Sequence, residues 1–237
     1  HNACGCSALM HVLVTRPLRE AQVTAQALRA RGHDVTIDPV LEIVSTGASI
    51  TGRWDGVIVT SAQAFDHLDA TLRDHIRALP FFVVGARSAQ AAHGCGFAEP
   101  KITAPQVSDL LAHLKTLAPQ RFLYLAGQDR KSDLETGLAA SGHIITPLII
   151  YEARAVDALA SETITALRAN KIDAVLHYSR RSAELFCKLA REAGLGAALT
   201  HLRHICISAD AAAPFADKVV IAKTPDQEGL FAALELR

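Results

Sequence analysis

Hydroxyl, phenol and guanidinium groups carry the chemistry this chain offers. Tyr151 closes the apolar run Ile144-Ile145-Thr146-Pro147-Leu148-Ile149-Ile150-Tyr151, and a phenol at the end of such a run can donate a proton to a leaving group. Tyr178, directly before Ser179, is a second acid–base candidate. Tyr124 sits inside Phe122-Leu123-Tyr124-Leu125 and reads as core. Short apolar stretches are followed in turn by Thr15 and Arg16, by Ser61, Ala62 and Gln63, by Gly85 and Ser88, by Gly127 and Arg130, by Ser179, Arg180 and Arg181, and by Ser208. If each stretch is a parallel strand leading into a helix, these residues mark the carboxyl ends, where open α/β sheets bind ligands. Helix amino termini favour anions and arginine adds bidentate carboxylate binding, so the set describes a site for a polyanion. Taken singly, Ser61 and Ser179 read equally well as plain helix caps, and the arginines as solvated.

The missing motifs narrow the chemistry. The chain has no G-x-G-x-x-G, no phosphate-binding G-x-x-x-x-G-K-[ST], no G-x-S-x-G elbow and no metal-ligand spacing. Its eleven histidines are scattered; His33 and His143, each after a helix-ending glycine, read as surface residues. No nucleophile–base pair stands out. An enzyme built from these parts works by positioning a reactive substrate, not by covalent attack.

Composition bounds the setting. The 237 residues are half apolar and one-fifth charged, with 24 basic and 24 acidic side chains. Zero net charge argues against a nucleic-acid or membrane-surface protein, and no apolar run approaches the ~20 residues of a membrane-spanning helix. Cys4, Cys6, Cys95, Cys187 and Cys206 are odd in number and lack C-x-x-C spacing, which reads as reduced, buried thiols in a cytoplasmic protein. Residues 1–9 precede the single methionine, Met10. They read as a leader, disordered or foreign to the natural chain, and lack the build of a secretion signal.

The elements that must position the candidates alternate strand and helix, predicting α/β architecture with parallel sheets. The helix after Pro17 is predicted over Arg19–Arg31, with Val23, Ala27 and Ala30 inward. One helix is expected to carry Phe65, Leu68 and Leu72. A helix is expected over Ser108–Leu117, and a strand over Phe122–Leu125 leading into a loop over Ala126–Arg130. Pro147 is expected to interrupt its strand. Two internal echoes suggest duplication. Gly32-His33 and Gly142-His143 each open a strand that leads to a proline and a second apolar run. Asp55-x-Val57-x-x-x-Ser61 repeats as Asp173-x-Val175-x-x-x-Ser179, with Gly85 and Ala89 answered by Ser208 and Ala212. The reading is two similar flavodoxin-like domains, 10–38 plus 154–237 and 47–147, joined by connector strands 39–46 and 148–153, with a substrate cleft between them.

These features together resemble the uroporphyrinogen-III synthase family. The resemblance is carried by Val12-Leu13-Val14-Thr15-Arg16-Pro17, by Val59-Thr60-Ser61-Ala62-Gln63-Ala64, by Val83-Val84-Gly85 with Ser88-Ala89, by Gly127 with Arg130, Leu134 and Gly142, by Ile150-Tyr151, and by Thr224-Pro225 with Gly229-Leu230. It spans essentially Met10 to Arg237. It implies a hydro-lyase, cytoplasmic and monomeric, that uses no metal or cofactor and binds neither nucleic acid nor membrane. The family converts the linear octacarboxylate tetrapyrrole hydroxymethylbilane to a macrocycle, losing water and inverting ring D. A transient contact with hydroxymethylbilane synthase, which supplies the substrate, belongs to the same expectation. By family position Tyr151 matches the tyrosine that assists loss of the hydroxyl, and Ser61, Ala62, Ser88 and Ser179 match loop positions facing the cleft. The chain departs from the family at Ile207-Ser208-Ala209-Asp210, where Asp210 would repel an anion unless it caps a helix or points away. It departs again at His177-Tyr178-Ser179-Arg180-Arg181, whose paired arginines offer compensation. The rival reading is a non-catalytic two-lobed binding or sensor module for a small polyanion.

Overall fold

Short runs of β-branched and aromatic residues suit a pleated, buried surface. The structure, a computed structural model describing residues 9–236, makes strands of them. In chain order the elements are β1 (His11–Val14), α1 (Leu18–Ala30), β2 (Asp34–Ile37), β3 (Leu41–Ser45), β4 (Gly56–Val59), α2 (Gln63–Asp66), α3 (Ala70–Ile76) and β5 (Phe81–Val84). Then come α4 (Ala86–Gly94), β6 (Ile102–Ala104), α5 (Val107–Leu114), β7 (Arg121–Gly127), α6 (Asp133–Leu138) and β8 (Ile144–Ala155). The chain finishes with α7 (Ser161–Arg168), β9 (Ala174–His177), α8 (Arg180–Glu192), α9 (Gly196–His201), β10 (Arg203–Cys206), α10 (Ala209–Ala212), β11 (Val219–Ile221) and α11 (Gln227–Glu235). The leader reading of residues 1–9 falls, Leu9 aside, outside the described residues, as do Cys4 and Cys6.

The chain divides into two compact units, the first formed by residues up to Glu42 together with Arg154 onward, the second by Ile43–Ala153. The first unit's sheet runs β11-β10-β9-β1-β2 with every pair parallel. The other sheet runs β3-β8-β7-β4-β5-β6 and is parallel from β8 to β6. The period-2 alternation of side chains gives the second unit two cores. Val57, Val59 and Leu123 pack with Phe65, Leu72 and Phe97 on one face; Ile58, Phe82 and Phe122 pack with Leu110, Leu114 and Leu134 on the other. Each fully buried side chain of this size contributes about 1.5–3 kcal/mol.

The two sheets share a spatial order and differ in chain order. Across the first unit β2, β1, β9, β10 and β11 correspond to β8, β7, β4, β5 and β6 across the second. The register extends this to residues. Val12 faces Ala174 as Phe122 faces Gly56, which makes Asp173 equivalent to Asp55, Ser179 to Ser61, and Tyr178 to Thr60. Equivalent residues do the same work at the amino-terminal edge. Asp173 accepts the His11 N–H at 2.7 Å and Asp55 accepts the Arg121 N–H at 2.7 Å. The Met10 N–H donates to His33 Nδ1 at 3.3 Å, and the Gln120 N–H to His143 Nδ1 at 3.0 Å.

That last pair corrects the surface reading of His33 and His143, which are only 4% and 7% exposed. Gly32 and Gly142 take positive φ (90° and 75°), a turn that costs glycine little and sends the next side chain inward.

Other expectations shift for identifiable reasons. On α1 the buried face is Ala21, Thr24, Ala25 and Leu28; of the residues expected inward, Ala27 is half-buried, Ala30 is exposed and Val23 is 56% exposed, because the stripe is set by one leucine with two alanines and a threonine. The single helix expected around Leu68 is two, because Asp69 caps α3 by accepting the Leu72 N–H at 2.7 Å. Ala126 and Gly127 continue β7 instead of opening a loop. Pro147 lies within a continuous β8. β6 answers to no predicted strand, and Cys95 is half-buried where Cys187 and Cys206 are buried.

Candidate active site

In the second unit the chain proceeds from β4 through β5 to β6, then returns past β4 to place β7 and β8 on its other side. A reversal of this kind leaves a crevice beyond the carboxyl ends of the two central strands. A cavity of about 240 Å³ lies there, lined by Thr60 and Ser61 after β4, Tyr124 and Gly127 of β7, Arg130 of the following loop and Tyr151 of β8.

The placement of Tyr151 has a backbone cause. β7 and β8 pair regularly until Ala126 faces Ile149; then Gly127 faces Tyr151, so Ile150 is an extra residue on β8. A bulge of this sort re-aims the side chain that follows. The phenol then lies against Gly127, where a Cβ atom would collide with the ring; only glycine leaves that space. The imidazole of His67 stacks on the ring, with centroids 5.2 Å apart and planes at 27°. Burial pushes the Tyr151 phenol above its ordinary value, and a hydrogen bond with Ser61 pulls it partly back. The group is therefore a neutral donor at neutral pH. Tyr124, also pushed up chiefly by burial, shares a 2.9 Å hydrogen bond with Thr60. It is core, as expected, and also wall.

The cavity's charge is mixed. Arg130 donates through Nη2 and Nε to Glu135 Oε1, at 2.9 and 3.3 Å. Lys131 adds a cation, and Asp129 and Asp133 add carboxylates. Of the residues expected to bind ligand in this unit, the cavity collects Ser61, Gly127 and Arg130 beside Tyr151. It does not take in Ala62, Gln63, Gly85 or Ser88. Ser88 lies on the buried face of α4 itself, and Gly85 spends its positive φ of 82° on the turn into that helix.

At the corresponding point of the first unit, side chains bond to one another. Between β1 and β9 the Arg16 guanidinium lies 3.8 Å over the Tyr178 ring and donates to Thr24 at 3.2 Å. Thr24 in turn donates to Gln227 at 3.2 Å and meets the Tyr178 hydroxyl at 3.4 Å. Thr15 is buried. Ser179 caps α8 by accepting the Ser182 N–H, and Ser208 caps α10 by accepting the Ala211 N–H. Arg180 pairs with Glu184 at 2.7 Å and Asp210 at 3.7 Å, so the unexpected carboxylate at Asp210 is met by a cation. Arg181 occupies the same first turn of α8. Sequence reasoning missed His67, Lys131 and the lining role of Tyr124. Tyr124 was hidden by its buried run, and His67 has no local pattern that betrays its distant partner.

Two parallel α/β units, one with a phenol set at its switch-point cavity, define an α/β protein of the kind that binds ligands at sheet edges. The chain belongs to the uroporphyrinogen-III synthase family, a family of lyases: the family model described as Uroporphyrinogen-III synthase HemD matches residues 22–232. Uroporphyrinogen-III synthetase from Helicobacter pylori 26695 is similar in structure, with a TM-score of 0.62 at 18% identity over 97% of this chain and 100% of that one. This likeness shows the mostly parallel α/β fold that the sequence predicted. A mutant uroporphyrinogen III synthase from the extremely thermophilic bacterium Thermus thermophilus gives a TM-score of 0.47 at 18% identity over 96% and 98% of the two chains. No curated protein matches the chain in sequence. Among the described residues no helix is long and apolar enough to cross a membrane.

Proposed function

We propose that the chain cyclises hydroxymethylbilane to uroporphyrinogen III, with Tyr151 as the general acid. The family match over residues 22–232 carries this reading, and the neutral, cavity-lining phenol supports the role given to Tyr151. Tyr151 hands its proton to the departing hydroxyl of the terminal hydroxymethyl group, which leaves as water. The electron-poor carbon left behind is attacked by the substituted position of ring D, giving a spiro intermediate that opens and recloses with ring D inverted. One water is lost overall, and the proton released as the macrocycle regains its pyrroles restores the phenol.

The departing group leaves readily, so a weak acid suffices. The larger task is holding the chain so that closure takes the inverted course. The proposed carboxylate contacts are Arg130 and Lys131 in the second unit and Arg180 and Arg181 at the carboxyl edge of the first. Because Arg130 and Arg180 already have carboxylate partners, the substrate competes with Glu135, Glu184 and Asp210 for them, exchanging one ion pair for another. The direct test supplies enzymatically made hydroxymethylbilane and separates the porphyrin isomers by chromatography. Isomer III is the expected product. Isomer I alone, the result of unassisted closure, would leave a non-catalytic binding module in its place.

A further inference from the structure

We propose that His67 is the positioning residue that holds the Tyr151 phenol in its donating geometry; the proposal rests on the function given above. His67 ends α2, and its imidazole stacks on the Tyr151 ring at a centroid distance of 5.2 Å. The imidazole is itself tethered, with Nδ1 2.8 Å from Ser45 Oγ. Ser45 closes β3, the sheet neighbour of β8 that carries Tyr151. Stack and tether therefore brace the phenol from the same pair of strands. The ring also meets Gly127, hydrogen-bonds with Ser61 and packs against the core that holds Val59, Phe65 and Leu125.

Beside His67 a second cavity of about 160 Å³ is lined by Ser45, Asp69 and Ile150. Truncating the imidazole joins its volume to that space and gives the phenol somewhere to swing. Facing His67 are Asp66, its chain neighbour, the capping carboxylate of Asp69, Ser45 and the phenol itself. Burial lowers the imidazole below its ordinary value, against the pull of Asp66, so the stack is between neutral rings at neutral pH and above.

The experiment compares His67→Ala with His67→Phe, which keeps a ring and loses the tether. Turnover to isomer III is measured alongside NMR of protein labelled with ¹³C at tyrosine Cζ. The chain has three tyrosines, and Tyr151→Phe assigns the relevant resonance. In His67→Ala we expect kcat to fall about tenfold with KM changed less than about twofold. The Tyr151 resonance should move and its phenol should titrate at lower pH, as expected of a ring released toward water. His67→Phe should recover most of both. Wild-type turnover in His67→Ala, an unmoved Tyr151 resonance, or equal impairment of both variants would each overturn the proposal. Should the wild-type protein make no isomer III, the proposed reaction is lost, while the resonance still decides whether His67 holds the ring.

Discussion

The two switch points of this molecule are built on one plan and put to different uses. At the amino-terminal edges the units are interchangeable: an aspartate and a histidine each hold a strand-opening N–H, through Asp173 and His33 in one unit and Asp55 and His143 in the other. At the carboxyl edges they part. Between β4 and β7 there is a cavity with Tyr151 in its wall; between β1 and β9 Arg16, Tyr178, Thr24 and Gln227 tie the corresponding space together. The edge that only closes strands has kept its residues. The edge that faces ligand in folds of this kind has diverged, and Tyr178 serves as a cross-link, whereas Tyr151 lines a cavity.

The sharpest way to break that contrast is to remove each phenol oxygen in turn. Tyr151→Phe should lower kcat for isomer III by about 10²–10⁴-fold, the usual worth of a positioned proton donor, with little change in unfolding midpoint. Tyr178→Phe should instead act mainly on stability, because the hydroxyl it loses meets Thr24. Steady-state kinetics and chemical denaturation of the two variants decide the matter. Equal kinetic losses would mean that both edges donate protons.

Acid should separate the units next. The first unit places His177 and His204 where the register gives the second Val59 and Phe81. His204 Nε2 donates to the Leu199 carbonyl at 3.1 Å, which leaves its Nδ1 to accept from His177 Nε2 at 3.2 Å. His177 Nδ1 is then buried without a partner. Burial lowers both, His204 to about 4. The folded state thus resists protons that the unfolded chain takes up near its ordinary value of 6.5, so stability falls as pH drops from about 6.5 toward about 4. His204 alone accounts for about 3 kcal/mol over that window, and His177 acts in the same direction. Hydrogen exchange should show the first unit opening before the second, whose Trp54 is the chain's single tryptophan and reports its state by fluorescence. Replacing the pair with the second unit's residues, His177→Val with His204→Phe, should flatten the profile.

Smaller effects should follow from the shared edge. His33→Ala and His143→Ala each strip a strand-opening N–H of its acceptor, at a cost of about 1–3 kcal/mol, and denaturation should find the larger loss at His143, whose ring also bonds the Leu114 carbonyl at 2.9 Å. The strand plan and its repetition were legible in the sequence because they are written locally: apolar runs, Gly-His turns and Asp-x-Val openings lie within a few residues of what they determine. Ser61, Gly127 and Arg130 were legible as strand ends for the same reason, and Tyr151 as the close of an apolar run, although β8 runs on to Ala155. Three things were not. The inner stripe of α1 is hidden by its alanines and by Thr24, whose hydrogen-bond partner Gln227 lies far along the chain. The stacking of His67 on Tyr151 is a tertiary pairing that no local pattern announces. The bulge that turns Tyr151 is a property of two strands together, invisible in either.

Gly127→Ala tests that bulge with a single methyl group. The added Cβ would collide with Tyr151 Cε2 and lie 2.7 Å from Cζ and 3.0 Å from the hydroxyl, closer than non-bonded atoms tolerate, so something must yield. The three atoms nearest that methyl all belong to the far end of one side chain, and none is backbone, so the phenol is what can move. The variant should therefore fold with its unfolding midpoint nearly unchanged, bind substrate with a KM within about twofold, and lose about tenfold in kcat, because a donor displaced by even a fraction of an ångström loses its alignment. In the first unit the corresponding strand end carries Arg16, whose guanidinium lies on the Tyr178 ring, and Pro17. A Gly127→Ala enzyme with full activity would mean that the cleared space has no bearing on the phenol's work, and the contrast between the two edges would then be one of packing alone.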